Sequence, residues 1–545
     1  MFNTLKKWLL KRYLARYRIP RDMTREAFRR YPERTALITP RGSLSFAELG
    51  RRVYSLARGL EDLGVEKGGR VFTLLPDGRE QVEARLACFE SGLILTSFHT
   101  GHTQSAVLQA AEMASPAVLI IGPGVGENTA RALAGEHHGL TVLETGPRGS
   151  YENLLGTTSP RPSRRVVKPR DPASLGFTSG TTGEPKALFT THEVIVTSLK
   201  LTAVNVSITP GQRDIFVLGI PLVGAGSGVV LPMLFSGSTL VIPETYTAEA
   251  VLDAINKHRA TRTFVTPSLL IDFLDLPEAD LNSLRNVIYG TAPMPVPKLE
   301  KAVRRWGPIF QQGYGMAEVL PPVSLLQMKD HGTREQPAPR EVLRSVGRVV
   351  PEVKVRIVDP DGKDLPPGEV GEILIDSPTA FSGYWKSPEL NRQVLRDGWY
   401  HTRDLGFLDQ EGRLHVLGRR TDVIHREGTT IYPLQVEEAA HDHPSVKEAC
   451  LVTDPQARKL TLAVSLRRAY RDRDESDLVT ELFQTLNKQL PPGRLPDRIA
   501  VMDELPRSYL VKVLHREIRE KFRDNNQSEK ESQDEHLYHL KDWVR

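Results

Sequence analysis

Short apolar runs alternate with helical patterns along most of the chain, from about residue 31 to 418. The clearest examples are RVFTLLP (70–76), QVEARLACFESG (81–92), AVLIIG (117–122), STLVIP (238–243) and AEAVLDAINKH (248–258). Such alternation is typical of βαβ units, whose parallel sheets are covered by helices on both faces. The sequence therefore predicts an α/β fold with a large N-terminal domain of parallel-rich sheets and helices.

The pattern changes near residue 350 and again after Gly418. Residues 353–376 contain DPDG and PPG turns between alternating runs, which predicts a small antiparallel, barrel-like subdomain. The roughly 100 residues beyond Gly418 mix helix-like and strand-like segments, which predicts a small α+β C-terminal domain. The expected divisions are a basic amphipathic helix (1–25), an N-terminal domain (26–418), a C-terminal domain (419–523) and a polar, loose tail (524–545).

The basic charge of the chain is concentrated at its start. The 545 residues carry 72 Lys and Arg against 67 Asp and Glu, a net charge of +5. Residues 1–30 contain ten basic and two acidic side chains, so the rest of the chain is slightly acidic. No nucleic-acid partner is expected, because the basic charge is not spread over the chain.

Residues 5–18, LKKWLLKRYLARYR, form a basic amphipathic pattern that ends near Pro20. Apolar side chains recur every fourth residue, at Leu5, Leu9, Tyr13 and Tyr17. Such a helix either lies on an anionic membrane surface or packs on its own domain. The two readings are nearly balanced, and the basic side slightly favours a membrane surface for residues 1–20.

The two cysteines indicate a reducing compartment. Cys88 and Cys450 are far apart and lack CxxC or metal-ligand spacing, so we expect neither disulfides nor a thiolate metal site. No run of about 18 apolar residues suggests a spanning helix, and no continuous apolar core suggests a signal peptide. We expect a cytoplasmic protein, peripheral on the inner face of the membrane if residues 1–20 bind there.

The segment TSGTTGEPK (178–186) follows a strand-like run and has the composition of a phosphate-binding loop. Its glycines let backbone N–H groups turn toward an anion, its hydroxyls donate, and its lysine adds charge. The residues expected at the phosphates are Thr178, Ser179, Gly180, Thr181, Thr182, Gly183 and Lys186. It is not a Walker A loop, since the lysine follows Pro185. The alternative is a polar surface loop.

Several segments, in order, resemble the motifs of the adenylate-forming superfamily, which includes acyl-CoA synthetases, luciferases and nonribosomal-peptide adenylation domains. They are LSFAEL (44–49), TSGTTGEPK (178–186), QGYGMAE (312–318), GWYHTRD (398–404), GR (418–419) and LPRSYLVK (505–512). The resemblance extends over about residues 26–518. It implies an N-terminal adenylation domain and a mobile C-terminal domain.

The resemblance also implies an ATP site. The ring of Tyr314, beside Gly315, is implied to stack on adenine. Asp404 is implied to bind both ribose hydroxyls, and Arg419 to touch the ribose. The segment YGTAP (289–293) resembles the small-residue stretch along the adenine plane, here Gly290, Thr291 and Ala292. Its alternative is an ordinary strand-to-helix turn.

The implied reaction is attack of a carboxylate on the α-phosphorus of ATP, with pyrophosphate leaving. Its anion repulsion has to be cancelled and its developing charge stabilised. The implied catalytic residues are Lys512, Glu318, Thr178 and Lys186, with Glu318 binding Mg²⁺. A general base is unnecessary, because the acid is already ionised at neutral pH.

A second, thiol-acylating half-reaction is implied by the region around the hinge. Members of the superfamily rotate the C-terminal domain about a hinge two residues beyond the ribose-binding arginine, which is Thr421 here. That rotation exchanges Lys512 for a loop that REGTTIYP (426–433) resembles, around Gly428. The resemblance therefore implies coenzyme A as a third substrate, beside ATP and the acid.

Several positions depart from the superfamily pattern, among them Ala187 and Thr421, which stand where a glycine and an acidic or basic residue are usual. Ala317 lacks a hydroxyl expected on the α-phosphate, Arg403 and Val511 replace glycines, and His515 stands where an arginine is frequent. We expect a lower rate, because a lost bond to a charged group costs about 1.5–3 kcal/mol. We also expect the domain rotation to be tuned differently.

The acyl pocket is predicted from PLVGAGSG (221–228), where many acyl-CoA synthetases have a histidine or aromatic residue at position 224. The expected lining residues are Val223, Gly224, Gly226 and Val319. Small and apolar side chains predict a roomy pocket without a charged specificity residue. A fatty or hydroxy-fatty acid therefore fits better than an amino acid.

The first hypothesis is an AMP-forming acyl-CoA synthetase that uses ATP, Mg²⁺ and coenzyme A. A second keeps the adenylation but transfers the acyl group to an acyl carrier protein, or closes a β-lactone on the substrate's own hydroxyl. A third, motivated by Ala317, Arg403 and Val511, is a degenerate nucleotide-binding protein.

Overall fold

Two parallel-rich sheets form the centre of the N-terminal domain. The structure, a computed structural model, describes residues 2–124, 126–136, 139–179, 185–453, 459–507, 513–524 and 536–539. Within these residues nine strands form the larger sheet, in the order β2 (Gly42–Ser45), β1 (Thr35–Thr39), β10 (Thr239–Val241), β9 (Ile215–Gly219), β11 (Arg262–Val265), β12 (Asn286–Gly290), β13 (Phe310–Tyr314), β14 (Ser324–Leu326) and β15 (Arg348–Val349). The strands from β1 to β13 in this order pair in parallel.

The smaller sheet has six described strands. Their order is β6 (Thr141–Glu144), β5 (Val118–Ile121), β3 (Arg70–Leu75), β4 (Ile94–His99), β7 (Pro172–Ser179) and β8 (Pro185–Thr191). All pairs are parallel except the hairpin of β7 and β8. Every residue of β5 is buried, as expected for a central strand covered on both faces. The α/β prediction is confirmed.

Helices cover both sheets of this domain. Their bounds are α1 (Phe2–Leu14), α2 (Pro20–Arg30), α3 (Phe46–Asp62), α4 (Arg79–Ser91), α5 (Gln104–Ala114), α6 (Glu127–Glu136), α7 (Ser150–Thr157), α8 (His192–Asn205), α9 (Ser227–Ser236), α10 (Ala248–His258), α11 (Pro267–Asp275), α12 (Val296–Trp306), α13 (Arg340–Arg344) and α14 (Pro388–Val394). The LSFAEL segment is the start of α3. There Ser45 accepts from the Glu48 backbone N–H while Glu48 accepts from that of Ser45, a capping box.

An antiparallel sheet follows, where short strands and tight turns were predicted. Its described strands are β16 (Lys354–Val358), β17 (Gly371–Asp376), β19 (Trp399–Leu408), β18 (Leu395–Arg396) and β20 (Leu414–Arg419). Strand β20 places Arg419 opposite Asp404 of β19. Arg419 therefore belongs to this sheet, one residue beyond the expected end of the N-terminal domain.

The C-terminal part has the expected α+β composition. Its described elements are the hairpin β21 (Ile424–Arg426) and β22 (Thr429–Ile431), the sheet β23 (Val446–Thr453), β24 (Leu460–Leu466), β25 (Arg498–Met502) and β26 (His536–His539), and the helices α15 (Pro433–His441), α16 (Glu475–Gln489) and α17 (His515–Asp524). The prediction of a loose tail over 524–545 is wrong for residues 536–539. These residues form β26, which pairs with the outer side of β25, and Leu537 and Tyr538 pack against the core.

The predicted apolar face of the first helix is wrong at Leu9, which is 51% exposed. Tyr17 of the same predicted face is buried, and Tyr13 packs partly buried against the core beside Leu10 and Leu14. The Tyr13 hydroxyl donates to Glu26 at 2.7 Å. The helix therefore packs on its own domain, through a face that includes Leu10 and Leu14 and excludes Leu9.

The first helix is also shorter than predicted, since α1 ends at Leu14 and α2 begins at Pro20, so the expected boundary at residue 26 cuts α2. Within the described residues, no helix is both long and apolar enough to cross a membrane.

Candidate active site

The carboxyl ends of β12 and β13 bring two predicted segments together. These strands are parallel neighbours in a register that places Gly290 beside Gly313. A Cβ on Gly290 would lie 2.6 Å from the carbonyl oxygen of Gly313, so only glycine allows this approach. Thr291 follows with a φ of +72°. In open α/β sheets, ligands bind at this edge of the strands.

Tyr314, Asp404 and Arg419 form one hydrogen-bonded group at that edge. The Tyr314 hydroxyl donates to Asp404 Oδ2 at 3.0 Å, and Arg419 Nε lies 2.8 Å from Asp404 Oδ1. The Asp404 backbone N–H donates to the hydroxyl of Thr402 at 2.9 Å. Two other strands of the chain, β13 and β20, therefore hold one carboxylate of β19.

Burial controls the ionisation of this group. It raises the pKa of Asp404, while Arg419 and the hydrogen bond from Tyr314 oppose that rise. The pKa of Tyr314 lies well above its ordinary value, because the phenol is buried and faces the carboxylate. Tyr314 therefore remains a hydrogen-bond donor.

Glu318 is held by an aromatic residue that the sequence analysis missed. The Tyr384 hydroxyl donates to Glu318 Oε1 at 3.1 Å. Burial and the Glu318 charge raise the pKa of Tyr384 above its ordinary value. Tyr384 lies in SGYW (382–385), where Gly383 followed by two aromatic residues was the available signal.

The strand β8 brings Lys186 to the same place. Leu188 of β8 bridges to Tyr384, and Lys186 Nζ lies 5.9 Å from the centre of the Tyr384 ring. Lys186, Tyr384 and Glu318 therefore lie side by side, although they are distant in sequence.

The predicted phosphate loop joins β7 to β8, whose register places Thr178 opposite Lys186. Gly180, Thr181, Thr182 and Gly183 lie outside the described residues, as do the side chains of Thr178 and Ser179. Both ends of this loop therefore lie where Lys186 approaches Tyr384, whose hydroxyl contacts Glu318.

Lys512 and Val511 lie outside the described residues, but both ends of their segment are described. Arg507 and Val513 bridge to each other, and Arg507 Nη1 donates to Ser268 at 3.1 Å. Ser268 belongs to α11 of the N-terminal domain. Arg507, at the described start of this segment, therefore contacts the N-terminal domain.

Ion pairs hold the two domains in this orientation. Arg340 joins Asp442 of the C-terminal domain at 2.9 Å and Glu300 at 3.1 Å, and Lys447 pairs with Asp272 at 2.7 Å. The REGTTIYP segment starts in the β21–β22 hairpin, where Arg426 pairs with Asp497 of its own domain at 2.9 Å.

The predicted acyl-pocket residues differ in burial. Gly224 is exposed with a φ of +82°, and Val223 is buried. Gly226 is a tight-turn residue, since a Cβ there would lie 2.2 Å from the Pro221 carbonyl oxygen. Val319 is fully buried in a cluster with the antiparallel sheet, and its role in lining the pocket stays a prediction. Its bridge to Ala380 explains the burial.

An acidic residue that was not expected lies beside this loop. Asp77 Oδ2 accepts from the Leu222 backbone N–H at 2.8 Å and from the Tyr246 hydroxyl at 2.7 Å. Burial raises the pKa of Asp77. The loop at 221–224 is therefore held by a carboxyl group that is 145 residues away from Leu222.

Known proteins resemble the chain over most of its length. Residues 24–385 match the AMP-binding enzyme family, and residues 435–510 match the AMP-binding enzyme C-terminal domain. The chain is 32% identical over 497 residues to the feruloyl-CoA synthase of Amycolatopsis sp., covering 90% of this chain and 96% of that one. It is 30% identical over 500 residues to the indoleacetate–CoA ligase of Aromatoleum aromaticum, covering 90% and 95%.

A solved structure agrees with these sequence matches. The amide bond synthetase McbA from Marinactinospora thermotolerans superposes with a TM-score of 0.81 at 29% identity, covering 92% of this chain and 99% of that one.

Proposed function

This chain belongs to the family of AMP-binding enzymes, and on that premise we propose that it converts a carboxylic acid with an uncharged, apolar acyl group into its CoA thioester. It is an AMP-forming acid–thiol ligase that uses ATP, Mg²⁺ and coenzyme A. The acid first becomes an acyl-AMP with release of pyrophosphate. The thiol of CoA then displaces AMP.

The observation that carries this proposal is the carboxylate of Asp404, held by Tyr314 and Arg419 at the carboxyl ends of β12 and β13. In the proposal this carboxylate accepts hydrogen bonds from the two ribose hydroxyls, and the ring of Tyr314 stacks on adenine. The glycine at 290 leaves room for the flat base. Asp404 thereby fixes ATP with its α-phosphorus toward Glu318.

Glu318 suits a hard cation. Its carboxylate is partly exposed and uses one oxygen for Tyr384, so the other oxygen is available for Mg²⁺, which prefers carboxylate ligands. Bound there with ATP, Mg²⁺ would neutralise phosphate charge. Lys186 would place its ammonium near the same phosphates, and Lys512 is proposed to bridge the acid and the α-phosphate.

Two observations point to different acids. The missing side chain at Gly224 leaves space for a long or hydroxylated acyl chain, which supports the fatty or hydroxy-fatty acid expected from the sequence. The names of two relatives, feruloyl-CoA synthase and indoleacetate–CoA ligase, instead support an aromatic acid. We propose the fatty acid as the first candidate and an arylalkenoic or arylacetic acid as the second.

A pyrophosphate-release screen separates these candidates. Fatty acids of graded length, their 3-hydroxy forms, ferulate and indoleacetate are each incubated with ATP and Mg²⁺, with and without CoA. We expect one class to give at least about tenfold higher kcat/KM, equal to about 1.4 kcal/mol in binding of the transition state. Activity confined to aromatic acids would exclude the fatty acid, and no release with any acid would contradict the proposal as a whole.

The same screen tests the acyl acceptor. We propose CoA, since relatives that cover this chain are named CoA synthase and CoA ligase. Turnover that continues only with a carrier protein, or with a 3-hydroxy acid and no thiol, would replace CoA by the carrier or by the intramolecular hydroxyl.

We propose that α1, besides packing on its own domain, binds a membrane surface through its exposed side. Trp8 is 52% exposed beside the exposed Leu9 and Arg12, a combination that fits the headgroup region of an anionic bilayer. Flotation with phosphatidylglycerol vesicles tests it. Trp8→Ala should abolish binding while activity in solution is kept, and flotation unaffected by this substitution would contradict the proposal.

A further inference from the structure

Three side chains of the C-terminal domain that are able to bind a metal ion lie close together. Glu437 lies on α15, Cys450 on β23 and His515 at the start of α17. Their ligand atoms all lie within 4.8 Å of one another. Sequence spacing gave no sign of this group, because its members are 13 and 65 residues apart.

The geometry of the group is specific. Cys450 Sγ lies 3.4 Å from His515 Nδ1, and the cysteine is 1% exposed. One oxygen of Glu437 accepts a hydrogen bond from the Leu451 backbone N–H at 2.8 Å. Because Leu451 follows Cys450 in the chain, this bond orients the Glu437 carboxylate beside the cysteine. A hydrogen bond of this kind, from outside the ligand set, is what aligns ligands in protein metal sites.

The chemistry of the three side chains suits a cation that replaces the thiol proton. A cysteine ligand binds as a thiolate, so binding of the ion would release the proton of Cys450. Asp422 and Arg519 are further charged groups near Cys450 and His515.

We propose that Glu437, Cys450 and His515 bind one zinc ion. The set offers one sulfur, one nitrogen and one oxygen, a combination that suits Zn²⁺ and is too soft for Mg²⁺. Three protein ligands leave a fourth, tetrahedral position for water. The nearby Asp422 is a residue of the proposed hinge region, next to Thr421.

The position of the site suggests what the ion does. His515 begins the helix that follows the segment of Lys512, and Glu437 lies on the helix that follows the β21–β22 hairpin. The ion would therefore stabilise the positions of α17 and α15, which adjoin the segment of Lys512 and the β21–β22 hairpin. The two half-reactions are proposed to use these two segments. No residue proposed to bind ATP or the acid belongs to the set, so the ion would act on the placement of these two segments.

Metal content of the full chain tests the proposal. Protein without a histidine tag is loaded with Zn²⁺, passed over a gel-filtration column with a weak chelator, and analysed for metal. We expect about one zinc per chain in the parent protein. Loss of even an outer partner of a ligand costs about 10–100-fold in affinity, so Cys450→Ala and His515→Gln should each bind zinc at least about tenfold more weakly.

The other cysteine provides the matched control. Cys88 is also fully buried but belongs to α4 of the N-terminal domain, so Cys88→Ala should keep its zinc. Loading with Co²⁺ should give thiolate-to-cobalt charge-transfer absorption in the parent and in Cys88→Ala, and none in Cys450→Ala. The proposal is overturned if the parent protein retains no zinc, or if Cys450→Ala retains as much as Cys88→Ala. His515→Gln keeps the test decisive if Cys450→Ala fails to fold.

Discussion

The hydroxyl of Tyr314 lies 3.0 Å from Asp404 Oδ2, so the residue proposed to stack on adenine also orients the carboxylate proposed to bind the ribose. Stacking and hydrogen bonding can be separated by substitution. Tyr314→Phe should raise the KM for ATP roughly tenfold, since a hydrogen bond to a charged group contributes about 1.5 kcal/mol or more. Tyr314→Ala should raise it further. Equal KM values for Tyr314→Phe and the parent in the pyrophosphate assay would show that the hydrogen bond does not position ATP.

The bond between Tyr384 and Glu318 predicts a change in Mg²⁺ dependence. Tyr384→Phe keeps the ring beside Lys186 but releases the Glu318 carboxylate. The Mg²⁺ concentration for half-maximal activity should rise about fivefold to tenfold, as expected for loss of about 1 kcal/mol. Tyr470→Phe serves as control, because Tyr470 lies in the C-terminal domain, on the turn 468–470 after β24. An unchanged Mg²⁺ titration for Tyr384→Phe would remove Glu318 from the cation site.

The pair of Arg340 with Asp442 joins the two domains in the orientation in which Arg507, before the segment of Lys512, contacts Ser268. Arg340→Ala should weaken this orientation by about 1 kcal/mol, because exposed ion pairs contribute up to about that amount. Formation of acyl-AMP should therefore slow roughly fivefold in single-turnover experiments, with less effect on transfer to CoA. Arg473→Ala removes a pair within the C-terminal domain and should affect neither step. Equal slowing of both steps would contradict the link to domain orientation.

Buried histidines predict the response to acid. Burial lowers the pKa of His441 from 6.5 to about 3. Below pH 6.5 the unfolded chain binds a proton at His441, whereas the folded chain does not. The free energy of unfolding is therefore unaffected by His441 above pH 6.5, and it decreases as the pH falls toward 3. The loss amounts to about 1.4 kcal/mol for each pH unit in that window.

Thermal unfolding between pH 7 and 4 measures this effect. His441→Gln should flatten the decline of the unfolding temperature relative to the parent. His425→Gln, at an exposed position of the β21–β22 hairpin, should follow the parent curve. A parallel decline in all three proteins would show that His441 is not the group responsible.

The first helix should behave as part of the N-terminal core. Leu14 is 1% exposed, so Leu14→Ala should destabilise the protein by about 2–5 kcal/mol. Trp8→Ala, on the exposed side of the same helix, should change the free energy of unfolding by less than about 0.5 kcal/mol. Denaturant unfolding of both variants measures the difference, and similar stabilities would mean that α1 does not pack as described.

Local patterns predicted most elements, because they depend on neighbouring residues. The runs at 70–76 and 81–92 became β3 and α4, and the segment at 433–443 became α15. The face of α1 was wrong at Leu9, while Tyr13 packs partly buried beside Leu10 and Leu14. Leu10 and Leu14 have the same four-residue spacing as Leu9 and Tyr13, so periodicity alone does not show which of these residues are buried.

Contacts between distant residues could not be predicted in this way. Tyr384 reaches Glu318 across 66 residues, and Asp77 reaches Leu222 across 145. Each contact depends on how two sheets are placed relative to each other, which no local spacing encodes. The resemblance to a family predicted that Tyr314 and Asp404 belong to one site, because members of a family share their tertiary structure.

The last strand of the C-terminal sheet has a consequence for association between copies of the chain. An uncovered edge offers unpaired N–H and C=O groups on which another molecule can add a strand. Residues 536–539 occupy that position along β25 and so protect the sheet from self-association. A chain cut before residue 536 would keep its catalytic residues but expose β25, and its solubility would then depend on concentration.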